Sequence, residues 1–239
     1  WLIILGIILA IGIGLLWRSH YECRTLSVTR YQVQSDKIKK EFDRFRIAVL
    51  ADLHDNTFGE KNATLIDVIQ KEAPDIIVIA GDMVVKEWKK KDFTVLKNLL
   101  WKLRDYPIYY GSGNHEQRME LETEQYPGWY EEFQDILKRC HVNYLKNESL
   151  ILQRGNARIR ITGVSIDSQY YQKGSPKEMD SNYLKEKLGL CKKDGYQILI
   201  AHSPLYLEQY EQWGADLTFS GHFHGGTIRL PYLGGVMSP

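Results

Sequence analysis

Five apolar runs in this chain each end in aspartate, asparagine or histidine, and that repetition constrains the fold more than any other feature. "RIAVLA" leads to Asp52 and His54, "DIIVIA" to Gly81 and Asp82, and "PIYYGS" to Gly113, Asn114, His115 and Glu116. "QILIA" leads to His202, and "ADLTFSG" to His222 and His224. Short apolar runs bounded by turn residues read as buried strands. In layered α/β proteins, ligand sites gather where such strands end.

The segments between the runs read as helices. "NATLIDVIQKEA" (62–73) carries Leu65, Ile66 and Ile69 at helical spacing and is stopped by Pro74. Further helices are expected over about 89–104 and 126–140, and "ARIRITGVSI" (157–166) is another strand. "LSVTRYQV" (26–33) alternates apolar and polar residues, as a half-buried strand does. No internal repeat or low-complexity linker interrupts the series.

The 239 residues, 44% hydrophobic and 26% charged, suffice for one substantial core and are too few for two comfortable domains. The net charge of +1 provides no basic field for nucleic acid, so no nucleic-acid partner is expected. Cys23, Cys140 and Cys191 are odd in number and far apart, which excludes a disulfide scaffold. They read as free thiols, with Cys140 and Cys191 buried.

Each polar motif alone is common. Asp-x-His after a strand is usually a turn and cap, Gly-Asp is a frequent turn, and a lone His202 is most often a satisfied core imidazole. Together they offer three carboxylate or amide groups (Asp52, Asp82, Asn114) and four imidazoles (His54, His202, His222, His224). That oxygen and nitrogen set matches two divalent cations of the Mn, Fe, Zn, Co or Ni kind and lacks the thiolates of a structural zinc site. Gly81, Gly113, Gly221 and Gly225 flank these residues where the backbone must turn. If "GHFHGG" is extended, His222 and His224 point to one face and reach one cluster.

The ordered set "DLH", "GDMV", "GNHE", "AHSP" and "GHFHGG" resembles the calcineurin-like metallophosphoesterase family from about residue 45 onward. The apolar N-terminus and the ending "GHFHGGTIRLPYLGGVMSP" resemble its membrane-anchored bacterial branch. The resemblance implies an α/β fold of two facing mixed β-sheets flanked by helices, a four-layer sandwich. It implies that Asp52, His54 and His224 bind a first metal, that Asp82 bridges, and that Asn114, His202 and His222 bind a second. His115 then contacts phosphate and protonates the leaving oxygen, while a metal-activated hydroxide attacks phosphorus. The implied activity is hydrolysis of a phosphodiester or pyrophosphate, with a lipid-linked or cell-envelope substrate favoured by the short tether to the membrane. A phosphomonoesterase acting on a soluble substrate and a non-catalytic anchored metal-binding module are the alternatives. Family members continue past "LGGVMSP", and this chain starts without methionine, so both ends are expected to be cut.

"WLIILGIILAIGIGLLW" (1–17) holds no charge, approaches the length of a membrane span, and has tryptophan at each end. No small-residue cleavage site follows it, which favours a single-pass anchor over a removed signal. The expected organisation is an anchor over 1–17, a juxtamembrane segment over 18–25 and a phosphoesterase domain over 26–239. Arg18, Arg24 and Arg30 lean toward a cytoplasmic domain, although the other flank needed to fix the side is absent.

Several features keep two readings. Tyr126, Trp129, Tyr130 and Phe133 are core residues or an apolar lip for a lipid tail. "KEWKKKD" (86–92) is a solvated helix start or a head-group contact. Cys23 is a free or an acylated thiol. Glu116 orients His115 or Asn114, or is a helix-start carboxylate.

Overall fold

The computed structural model describes residues 1–22, 24–85, 91–172, 174, 177–226, 228–230 and 234–237. Helix α1 (Leu2–Glu22) opens the chain, has no buried residue, and is long and apolar enough to cross a membrane. Its 21 residues correspond to roughly 30 Å, the thickness of a bilayer's hydrocarbon core.

Strands β1 (Ile47–Leu50), β2 (Ile76–Ile79), β3 (Ile108–Gly111) and β4 (Asn143–Leu145) form one sheet in that order, with every pair parallel. Parallel neighbours need crossovers, and helices supply them. Helix α2 (Ala63–Glu72) joins β1 to β2, α3 (Thr94–Leu103) joins β2 to β3, and α4 (Asn114–Leu121) with α5 (Trp129–Arg139) joins β3 to β4. The second sheet orders β5 (Glu148–Arg154), β6 (Ala157–Val164), β7 (Tyr196–Ala201) and β8 (Leu217–Phe219). Its first pair is antiparallel and the others are parallel. Helices α6 (Tyr183–Leu188) and α7 (Leu207–Trp213) precede β7 and β8, and β9 (Ile228–Leu230) pairs antiparallel with β10 (Gly234–Met237).

The two-residue period of a strand explains the layers. Ile76, Val78 and Ala80 face the second sheet and meet Ile159, Ile161, Ile198 and Ile200 there. Ile77 and Ile79 face the other way, onto Ile66, Leu96, Leu100 and Phe133 of the helices. Behind the second sheet, Leu199 and Ala201 pack on Leu184 and Tyr210. Helices, sheet, sheet and helices follow in order, the four-layer arrangement expected. The first sheet, however, is parallel throughout its described strands, where a mixed one was expected.

Other local readings also change. Residues 26–33 form no strand: Val28, Tyr31 and Val33 are exposed, and only Leu26 packs on the core. Alternation makes a strand only where a neighbouring edge accepts its hydrogen bonds, and here no pairing forms. Tyr126 and Phe133 are buried, and Trp129 and Tyr130 pack around Phe133 and Phe93, so this group is core and forms no lip. Cys140 is a buried free thiol, whereas Cys191 is only half-buried, with Sγ 3.5 Å from the Gly214 carbonyl. Cys23 and residues 86–90 of the lysine-rich stretch lie outside the described residues.

Candidate metal centre

Parallel strands deliver their C-terminal ends to one edge, and the nominated side chains converge there. Asp52, His54 and His224 form one group whose ligand atoms lie within 4.8 Å of one another, and Asp82, His202 and His222 form another. Asp82 also joins His54 and His115 in a third group, so it stands between the first two. His54 Nε2 is 3.0 Å from His224 Nε2 and 3.9 Å from Asp82 Oδ2. The rings of His202 and His222 are 5.3 Å apart.

The backbone at these positions explains how short strands aim so many side chains inward. Asp52, His54, Asp82, His222 and His224 all have left-handed φ, between 48° and 72°. For residues other than glycine that conformation is costly, and it persists where surrounding structure enforces it. The enforcement is visible: the amides of Asp52 and His54 bond the carbonyls of Gly81 and Asp82 at 3.1 and 3.2 Å, and the His222 amide bonds Asp52 Oδ1 at 3.0 Å. "GHFHGG" is therefore a turn, not the extended segment expected. His222 and His224 diverge, one toward His202 and the other toward His54.

Gly113 permits the closest approach. A Cβ there would sit 2.2 Å from Asp82 Oδ1, so only glycine lets these two turns touch. The next residue, Asn114, begins α4, and the His115 amide donates to Asp82 Oδ1 at 2.9 Å.

Asp82 and His202 shift one another's protonation in opposite directions. Burial works to raise the Asp82 carboxyl, but His202 and the His115 amide hold it well below the usual carboxylate range. Burial works to lower His202, and the Asp82 carboxylate 3.0 Å away pushes it up to about 9. Burial raises Asp52 and lowers His54. It also brings His115 and His222 down to about 4, with a Coulombic push from His202 adding at His222.

Three buried atoms test whether cations fit. Asn114 Oδ1, His115 Nδ1 and His202 Nε2 have no hydrogen-bond partner, the last making only an ion contact with Asp82. An unsatisfied buried polar atom costs about 1–3 kcal/mol, and two of these belong to the nominated ligands. His202 Nδ1 contacts the Ala80 carbonyl at 2.6 Å, which turns Nε2 toward the cluster as a supporting contact does for a metal-bound imidazole. The residues present fit a pair of divalent cations.

Of two further participants, one carries no sequence signal and the other kept two readings. Tyr171 lies against His222 and His202, with ring centroids 5.2 and 6.0 Å away, at the end of a short 3-10 helix (Ser168–Tyr171) with no distinguishing pattern. Glu116 proves to be more than a helix-start carboxylate. It is fully buried and accepts from the amides of Gly113, Asp82 and Met83 at 2.9, 2.9 and 3.1 Å, and from the Tyr110 hydroxyl at 2.6 Å. Burial and nearby Asp82 push its carboxyl up to about 7, while four facing donors favour the anion.

The chain is also similar to proteins already known. The chain is 26% identical over 200 residues to phosphodiesterase YaeI of Escherichia coli, covering 82% of this chain and 66% of that protein. It is 24% identical over 262 residues to UDP-2,3-diacylglucosamine pyrophosphatase LpxG of Chlamydia muridarum, covering 91% and 74% respectively. The chain spans about half the length of one curated relative, at 51%, and only 40% of another. A 5'-nucleotidase precursor from Thermus thermophilus shares the fold, with a TM-score of 0.51 at 15% identity over 81% of this chain and 45% of that one. The calcineurin-like phosphoesterase family model matches residues 45–226, the stretch that runs from the first core strand through both histidines of the last turn, and the chain belongs to that family.

Proposed function

We propose that this chain hydrolyses a phosphodiester or pyrophosphate bond with the help of two divalent cations. The observation that carries the reading is the position of Asp82, which belongs to the group with His202 and His222 and also groups with His54 of the other. Asp52, His54 and His224 would hold one cation, Asn114, His202 and His222 the other, and Asp82 both. Bound cations supply polarisation of the phosphoryl oxygens and bring the pKa of a water toward neutrality.

The chain's own groups do the remaining work. The Ala80 carbonyl orients His202, and the Glu116 carboxylate fixes the turn that carries Asp82. His115 presents Nε2 3.9 Å from Asp82 Oδ2 and donates its proton to the departing oxygen. Burial lowers this imidazole, and an incoming phosphate anion raises it again, so protonation accompanies substrate binding. Replacing His115 by alanine is expected to lower kcat by about 10²–10⁴-fold, the range for a general acid, with metal content unchanged. Unchanged turnover in that variant removes His115 from the role.

The same proposal divides the chain into an anchor over 1–17, a juxtamembrane segment over 18–25 and a catalytic domain over 26–239. Helix α1 supports it by length and exposure, and so short a tether keeps the site near the bilayer surface. The relative named for a diacylglucosamine pyrophosphate makes a lipid-linked or cell-envelope substrate the favoured class. The full chain is then expected in the membrane fraction after a high-salt wash, and a chain lacking residues 1–25 in the soluble fraction. A full chain released by salt alone argues against the anchor.

A further inference from the structure

Two four-stranded sheets have four edges, and three of them are too short to recruit a neighbour. Strands β4 and β8 have three residues each, and β1 has four. Strand β5 differs. It runs seven residues, pairs with β6 through an unbroken register, and contains neither lysine nor proline. Natural edge strands are kept from pairing by shortness, bulges, proline or inward charges; β5 is long, unbroken and free of proline, and its charges stand only at its two ends. Its middle is exposed on both faces of the sheet: Leu150 is 40% and Ile151 42% exposed.

The sequence of this edge is complementary to itself. In "ESLILQR", antiparallel pairing centred on Ile151 sets Glu148 of one copy opposite Arg154 of the other, and Ser149 opposite Gln153. Leu150 meets Leu152, and Ile151 meets its own counterpart on the axis. Residues directly opposite share a face, where unlike charges and apolar pairs stabilise and like charges destabilise. Arg154 already bonds Asp75 at 2.7 Å, with its guanidinium 4.7 Å from the Phe45 ring. Five guanidinium donors leave room for a second carboxylate.

We propose that two copies of this chain associate through antiparallel pairing of their β5 strands, joining their second sheets into one continuous sheet. A single pair of short strands is small beside the roughly 1,600 Å² of a standard interface, so this dimer dissociates on dilution.

The test is the mass of the full chain in mild detergent, measured by light scattering over a dilution series. Two chains per particle at high concentration and one at low concentration are expected. Ile151→Lys sets two ammonium groups across the axis and is expected to give one chain throughout, with hydrolysis and thermal midpoint retained. Glu148→Arg and Arg154→Glu are each expected to be single alone and to restore a two-chain particle when mixed. A wild-type chain that stays single throughout overturns the proposal. So does a dimer indifferent to both Ile151→Lys and the charge reversals, which places the contact elsewhere, for example along α1.

Discussion

Alanine in place of Asp82 is expected to lower metal-dependent phosphodiester hydrolysis by about 10³-fold or more and to reduce the metal bound per chain. The magnitude follows from what is removed. Paired cations act on both the attacking and the leaving oxygens, and loss of even one electrostatic stabiliser costs about 10²–10³ in kcat. Asp82 stands between the ligand groups, and its Oδ2 lies 3.0 Å from His202 and 3.9 Å from both His54 and His115. Asp82→Asn is the informative partner variant, because it keeps the shape and removes the charge. If Asp82→Ala folds and still turns over at the wild-type rate, the shared carboxylate has no part in the chemistry. Elemental analysis beside the kinetic assay separates weak metal binding from slow chemistry.

The second large effect concerns stability. Replacing Glu116 by alanine leaves three backbone amides and the Tyr110 hydroxyl without their acceptor in a fully buried position. Each buried donor left without an acceptor costs about 1–3 kcal/mol, so the loss is several kcal/mol, a large share of the roughly 5–15 kcal/mol that holds a domain together. For a chain of this size, that corresponds to a fall in thermal midpoint of roughly 10 °C. Glu116→Gln recovers little of it, because an amide NH₂ brings donors where four donors already converge. A metal-free melting curve measures the effect apart from catalysis. A midpoint within about 1 °C of wild type in the alanine variant contradicts the clamp described for Glu116.

The sequence exposed the site more readily than it exposed the backbone that builds it. Side-chain types at strand ends are readable because a buried strand announces itself by continuous apolarity, and whatever follows it stands at the sheet's edge. Seven of the eight nominated side chains meet in the grouped cluster, and Asn114 sits between Gly113 and His115, both of which approach Asp82. The left-handed φ at Asp52, His54 and Asp82 was not readable, since nothing in those residue types demands it. It is imposed by hydrogen bonds between turns brought together from distant parts of the chain. The same lack of long-range information misplaced "LSVTRYQV", whose alternation fits a strand that no neighbour here completes. Glu116 was ambiguous for a related reason. Its contact with Gly113 is local, but its bonds to Asp82 and Met83 cross more than thirty residues of sequence.

The central claim, two cations held by one shared cluster and required for hydrolysis, is tested most directly by metal titration. The metal-free chain is titrated with manganese, bound ions are counted by elemental analysis, and hydrolysis of bis(p-nitrophenyl) phosphate is followed at each step. The account predicts two ions per chain, with turnover that reaches its full value only as the second ion binds. Turnover that persists in excess chelator, or a folded chain that binds two ions and hydrolyses no phosphodiester, contradicts it.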